Sequence, residues 1–214
     1  MEESTSREKV LKKIRNALIE KTDNPFMRSS FDSAILPSMD EGIDVAFAEN
    51  LMRSEGKFIY CESPEEVVSN LQALATAIGS DTLLCLEGEL QGLLSRAGLK
   101  ASADFDAFKE KGAGLTSCEA LIARSGSIMV SSRQTGGRKM NAYPDIHIVF
   151  ARTSQLVAEI ADALDGIRAK YGVKIPSMIS LITGPSRTAD IEKTLVMGVH
   201  GPRELYLLLL EDAI

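Results

Sequence analysis

The chain has 214 residues, 44% of them hydrophobic and 25% charged, and a formal net charge of −6. That suits one soluble globular domain or two small ones. It excludes a membrane span, since no apolar run approaches the ~20 residues one needs, and with no basic block it excludes an electrostatic nucleic-acid surface.

Residues 1–9 lack the basic start and apolar middle of a signal peptide, so a cytoplasmic protein is expected. Val10, Leu11, Ile14, Ala17 and Leu18 then recur at helical spacing, which predicts an amphipathic helix over Ser6–Ile19 with a basic outer face. Ser6 with Lys9 offers only half a capping box. From Thr22 to about Asp44 the periodicity fails, and Pro25, Pro37 and scattered serines suggest an irregular arm. Val45–Ser54 predicts a short helix ending near Gly56, and Lys57–Cys61 a strand. The next helix start is the best marked: Ser63 can cap it, Pro64 fits its first position and Glu66 completes a capping box, with the helix running to Ile78.

Thr82–Leu86 predicts a second buried strand, and Leu90–Ala97 a short helix that Gly98 ends. Leu115–Arg124 reads as helical, and Gly126 turns it into a third strand, Ser127–Ser132. Arg133–Tyr143 is a polar loop and Ile146–Phe150 a further strand. Ser154–Tyr171 reads as a helix, Met178–Thr183 as a strand and Glu204–Leu210 as a last buried strand. Strands and helices alternating over residues 57–210, with continuous apolar runs in the strands, predict an α/β fold: a three-layer, mainly parallel sheet covered on both faces. The expected organisation is an N-terminal helix and arm over residues 1–50 and one α/β domain over 51–214.

Three scattered cysteines, Cys61, Cys85 and Cys118, and two histidines do not make a metal or iron–sulfur site, so no metal is expected on this chain. No Gly-x-Gly-x-x-Gly run follows a strand, which gives no support to a dinucleotide site. The stretch with most chemical content is 181–203. It leaves a buried strand, turns at Gly184-Pro185, and reads as a helix from Pro185 that stops at Gly198. Ser186, Arg187, Thr188 and Asp190 fall in its first turns, where free N–H groups, hydroxyls and a guanidinium would receive an anion. His200, on a loop between Gly198 and Gly201, is a candidate general acid or base. Arg138, on the 133–143 loop, is a second candidate for the same anion. His147 lies inside an apolar strand and reads as a core histidine.

These motifs resemble the LUD-domain family, typified by lactate-utilisation protein C. The resemblance rests on Thr183–Glu192 followed by Leu195–Pro202, on Gly137-Arg138, on Pro144 with His147–Val149, on Gly126–Ser132, and on the Ser6–Arg15 helix. It implies a fold similar to the NagB/RpiA/CoA-transferase group, with a parallel sheet between helices and the site at strand carboxyl ends. It also implies a part in oxidising L-lactate to pyruvate beside partner lactate-utilisation proteins, one of them an iron–sulfur subunit. This chain would be the cluster-free member, binding no cofactor itself and taking a small carboxylate at the Gly184–Asp190 turn. The alternative is a non-catalytic binding or assembly protein of the same fold, and a homo-oligomer is left open. Where relatives often carry Ala-Glu-(Ser/Thr)-Gly, this chain has Ala123-Arg124-Ser125-Gly126. An arginine cannot replace a carboxylate nucleophile, which argues against acyl-CoA transfer.

Overall fold

The computed structural model describes residues 5–19, 39, 42–106, 112–188, 196–198 and 201–212. The chain divides into two compact units, Met1–Ser38 and Met39–Ile214. In the first unit, α1 spans Ser6–Ile19 as expected. Its cap is a full capping box one residue earlier than the sequence reading placed it. The Glu8 N–H donates to Thr5 Oγ1 (3.3 Å) and the Thr5 N–H donates back to the Glu8 carboxylate (2.8 Å).

The second unit runs α2 (Ile43–Arg53), β1 (Lys57–Cys61), α3 (Pro64–Ile78), β2 (Thr82–Leu84), α4 (Gly88–Arg96), β3 (Lys100–Ser102), β4 (Ala113–Thr116), β5 (Ala120–Ile122) and β6 (Ser127–Ser131). It continues through α5 (Gly137–Met140), β7 (Ile146–Arg152), β8 (Leu156–Val157), α6 (Ile160–Tyr171), β9 (Ile179–Ile182), β10 (Arg187–Thr188), β11 (Val196–Met197) and β12 (Glu204–Leu210). The α3 start is as read: the Ser63 hydroxyl accepts the Glu66 N–H, with Pro64 at the first helical position.

Six strands form a wholly parallel sheet in the order β1-β12-β7-β4-β2-β3. Pleating sends alternate residues to opposite faces. Ile148, Phe150, Leu208 and Leu210 face α3 and α4, where they pack with Val67, Leu71, Leu90 and Leu94. Val149, Ala151, Leu205, Leu207 and Leu209 face the other way, onto Phe47 and Leu51 of α2 and Leu121, Ile128 and Val130. The α/β fold with a mainly parallel sheet is therefore as expected.

The covering of that second face is not. Alongside α2 lies a second, four-stranded sheet ordered β8-β5-β6-β9, with β6 antiparallel to both neighbours. Its outer side carries α6 through Ala163 and Ile167 against Ala120, Ile122 and Met129. Leu115–Arg124, expected to be helical, supplies the end of β4, all of β5 and a short turn of 3₁₀ helix at Ala123–Ser125. A ten-residue surface helix would leave one side in water, but residues 113–123 are almost continuously buried, which only strands between two layers allow. The expected helix over Ser154–Tyr171 begins only at Ile160, because Leu156-Val157 pairs with β5 and Glu159 with Asp162 forms the helix cap.

Candidate functional site

The 181–203 stretch departs most from expectation. In place of a helix from Pro185 to Gly198, Arg187-Thr188 pairs antiparallel with Val196-Met197 as a two-stranded ribbon. Gly184 makes the turn into it, with φ of +82°. A Cβ at Gly184 would sit 2.0 Å from the Ser54 carbonyl oxygen, so the turn rests directly on the end of α2. The Ser186 N–H donates to the Pro202 carbonyl (2.8 Å) and the Gly198 N–H to the Ser186 carbonyl (2.9 Å), which closes the base of the ribbon. Gly201 lies so near Ser186 that a Cβ there would be 3.1 Å from the serine Cβ.

Between this turn and the start of β7 is a cavity of about 340 Å³, lined among others by Asn141, His147, Thr183, Gly184, Ser186, Arg187, Gly201 and Leu205. The volume is at the small end for ligand sites. It lies at the carboxyl end of β9 but at the amino ends of β7 and β12, since His147 and Leu205 are each the second residue of their strand. The carboxyl-end location expected from the fold resemblance holds only for the smaller sheet. At Arg187-Thr188 ribbon backbone stands where helix N–H groups were expected to receive an anion, so among the described lining residues positive charge comes from Arg187.

His147 is the group that sequence reasoning set aside. It is fully buried, as a core residue should be, and its Nε2 lies 2.8 Å from Thr116 Oγ1. Its Nδ1, however, has no hydrogen-bond partner among the described residues. Burial alone pushes the imidazole down to about 4, so at neutral pH it is uncharged. A buried neutral ring with one nitrogen fixed and the other unpaired is a hydrogen-bonding group suited to a ligand hydroxyl or carbonyl. The signal was present in the sequence as a histidine interrupting an otherwise apolar strand.

Of the expected site residues, Gly184, Ser186 and Arg187 line the cavity together. The Arg187 Nη2 donates to the Ser54 carbonyl (2.5 Å) and lies 3.4 Å from the Glu55 carboxylate. Thr188 belongs to β10, pairing with Val196. Arg138 is exposed on α5 and is not among the residues lining the cavity. Asp190 and His200 lie outside the described residues.

Two further polar clusters are saturated and read as structural. The Glu119 carboxylate, with its side chain 2% exposed, accepts from Ser131 Oγ (2.6 Å), Tyr171 Oη (2.8 Å) and Lys170 Nζ (2.8 Å). Burial pushes this carboxyl up, and the three donors outweigh burial to leave it below its ordinary value. Arg124 makes an ion pair with Glu159 at 2.5 Å across the α6 cap. Among the described residues no group of three or more histidine, cysteine or acidic side chains is placed to hold a metal ion. Burial raises all three cysteine thiols, that of Cys85 to about 11. No described helix is long and apolar enough to cross a membrane.

The lactate utilization protein C of Bacillus subtilis is 40% identical over 101 residues, 46% of this chain and 42% of that protein. Its namesake from Geobacillus thermodenitrificans is 34% identical over 111 residues, 51% of this chain and 46% of that protein. The chain thus spans less than half the length of these relatives in the matched stretch. Among solved structures, a DUF162 family protein from Deinococcus radiodurans superposes with a TM-score of 0.58 over 78% of this chain and 96% of that one, at 20% identity, which shows a shared fold. The LUD domain family matches residues 94–210, more than half of the chain and the part that carries β4 to β12 and the cavity, and the chain belongs to that family.

Proposed function

We propose that this chain acts in lactate utilisation, as the cluster-free component of a system that oxidises L-lactate to pyruvate, and that its cavity receives a small carboxylate. The lactate part rests on the names of the relatives that match about half of this chain. The cavity part is carried by one observation, the unpaired Nδ1 of buried His147, a residue that lines the same cavity as Ser186 and Arg187. A 2-hydroxy acid offers complementary groups: a carboxylate for the guanidinium and a hydroxyl for the imidazole. Forming the ketone releases two electrons and two protons: iron–sulfur clusters of a partner subunit would supply the electron acceptor, His200 is the candidate acceptor of the hydroxyl proton, and the proton from the carbon would pass to solvent. His147, held near 4, is too weak a base for that task at neutral pH and serves to bind and orient. The same neutrality favours, as second reading, a binding or assembly subunit without turnover of its own.

Calorimetric titration of the purified chain with L-lactate and pyruvate tests the cavity. Saturable binding is expected, and His147→Leu should weaken it about tenfold, the scale of one lost hydrogen bond. Equal affinities in the two proteins would remove His147 from the site, and no binding would remove the ligand class. Reconstitution with the iron–sulfur partner should give lactate-dependent reduction that the partner alone does not show.

A further inference from the structure

Glu55 follows α2 with φ of +65°, and among the described residues it is the one non-glycine with positive φ. That region is disfavoured for a side chain with a Cβ, and a residue persists there only when its surroundings fix it. Here the fixing is visible: the N–H groups of Ser54, Glu55 and Gly56 all bond back to carbonyls of the last turns of α2. The consequence is positional. The Glu55 carboxylate is delivered from a rigid helix end to within 3.4 Å of Arg187, whose Nη2 also donates to the Ser54 carbonyl. Gly184, pressed against that same carbonyl, ties the cavity wall to the same helix end. Glu55 is 60% exposed and Arg187 is 32% exposed, so the pair faces solvent and is weak enough to exchange.

We propose that Glu55 is a specificity-determining residue that competes with the ligand's carboxylate for Arg187, so that the cavity admits ligands able to take over that contact. The inference rests on the cavity being a carboxylate site. It makes the selectivity of the site a contest between two carboxylates for one guanidinium: a neutral analogue of the same shape cannot displace Glu55 and gains nothing from Arg187. A purely architectural Glu55, by contrast, would affect ligands of either charge alike.

The test titrates the full chain, wild type and Glu55→Gln, with L-lactate and with lactamide, its uncharged counterpart. The glutamine keeps the length and backbone conformation of Glu55 and removes only the charge. The expected result is L-lactate binding about tenfold tighter in Glu55→Gln with lactamide unchanged. Unchanged lactate affinity, or equal tightening for both ligands, overturns the inference while leaving the cavity reading in place. No lactate binding by either protein overturns both. A ligand-independent arm measures modification of Arg187 by phenylglyoxal through peptide mass analysis. Several-fold faster reaction in Glu55→Gln supports competition at the guanidinium, and equal rates count against it. Glu55→Gly, which relieves the left-handed strain as well, should match the glutamine variant in lactate affinity while melting at a higher temperature.

Discussion

Replacing His147 by leucine should flatten the pH dependence of folding between pH 7 and pH 5. In the folded chain burial holds the imidazole at about 4, against 6.5 when exposed. As pH falls, the unfolded chain therefore takes up a proton before the folded chain does. The stability is complete above the unfolded value and is lost progressively as pH drops toward the folded one. The two values together give a loss of about 2 kcal/mol between pH 7 and pH 5. The carboxylates held low in the folded state, Asp212 at about 2 with Glu119, Glu204 and Asp81, start from ordinary values of 3.8 or 4.5 and act below this window. Urea unfolding followed by far-ultraviolet circular dichroism at pH 5, 6 and 7 measures the slope in each protein. Leucine also leaves the Thr116 hydroxyl without its partner, a pH-independent cost of about 1–3 kcal/mol that shifts the line without tilting it. Parallel lines for the two proteins would refute the claim that His147 is buried and neutral.

Gly184→Ala should cost at least ~2 kcal/mol in urea unfolding, because a left-handed backbone and a Cβ 2.0 Å from the Ser54 carbonyl both oppose it. A neutral result would place the turn away from α2. Arg124→Glu, which installs the residue common in relatives, should destabilise the chain by about 1–2 kcal/mol by setting two carboxylates together, and adding Glu159→Arg should restore most of the loss. Glu119 is held below its ordinary value, so its contribution is present above about pH 4.5 and is lost on acidification. Glu119→Gln should accordingly reduce the fall in melting temperature below that pH, as read by calorimetry.

Legibility in the sequence followed how local the determining forces are. The α3 start was readable because Ser63, Pro64 and Glu66 act within one turn. The strands β1, β7 and β12 were readable because a parallel strand buried on both faces must be apolar throughout, as Leu205–Leu210 largely is. Leu115–Arg124 forms strands in place of the expected helix because an apolar run of that length fits a buried helix or a pair of strands equally well. The second sheet above it is a tertiary fact that periodicity does not carry. The Pro185 segment differs for a similar reason: Gly184-Pro185 makes the turn as expected, but the pairing of Arg187-Thr188 with Val196-Met197 decides between helix and ribbon. Gly184, Ser186 and Arg187 share one motif, and the fold keeps them on one cavity wall. That His147 lines the same cavity and that Glu55 lies beside Arg187 is not legible, since nothing local links residues 55, 147 and 187.

The position of β12 bears on how the chain acquires its fold. This strand comes last among the twelve yet lies between β1 and β7, pairing Lys57–Cys61 with Tyr206–Leu210 across some 150 positions of sequence. During synthesis the large sheet therefore lacks an interior strand, and both its faces lack their leucines, until the ribosome has passed residue 210. Nascent chains stalled before that point should expose β1 and β7 as open edges that a chaperone must shield, and closing so distant a contact should make refolding slow for a domain of this size.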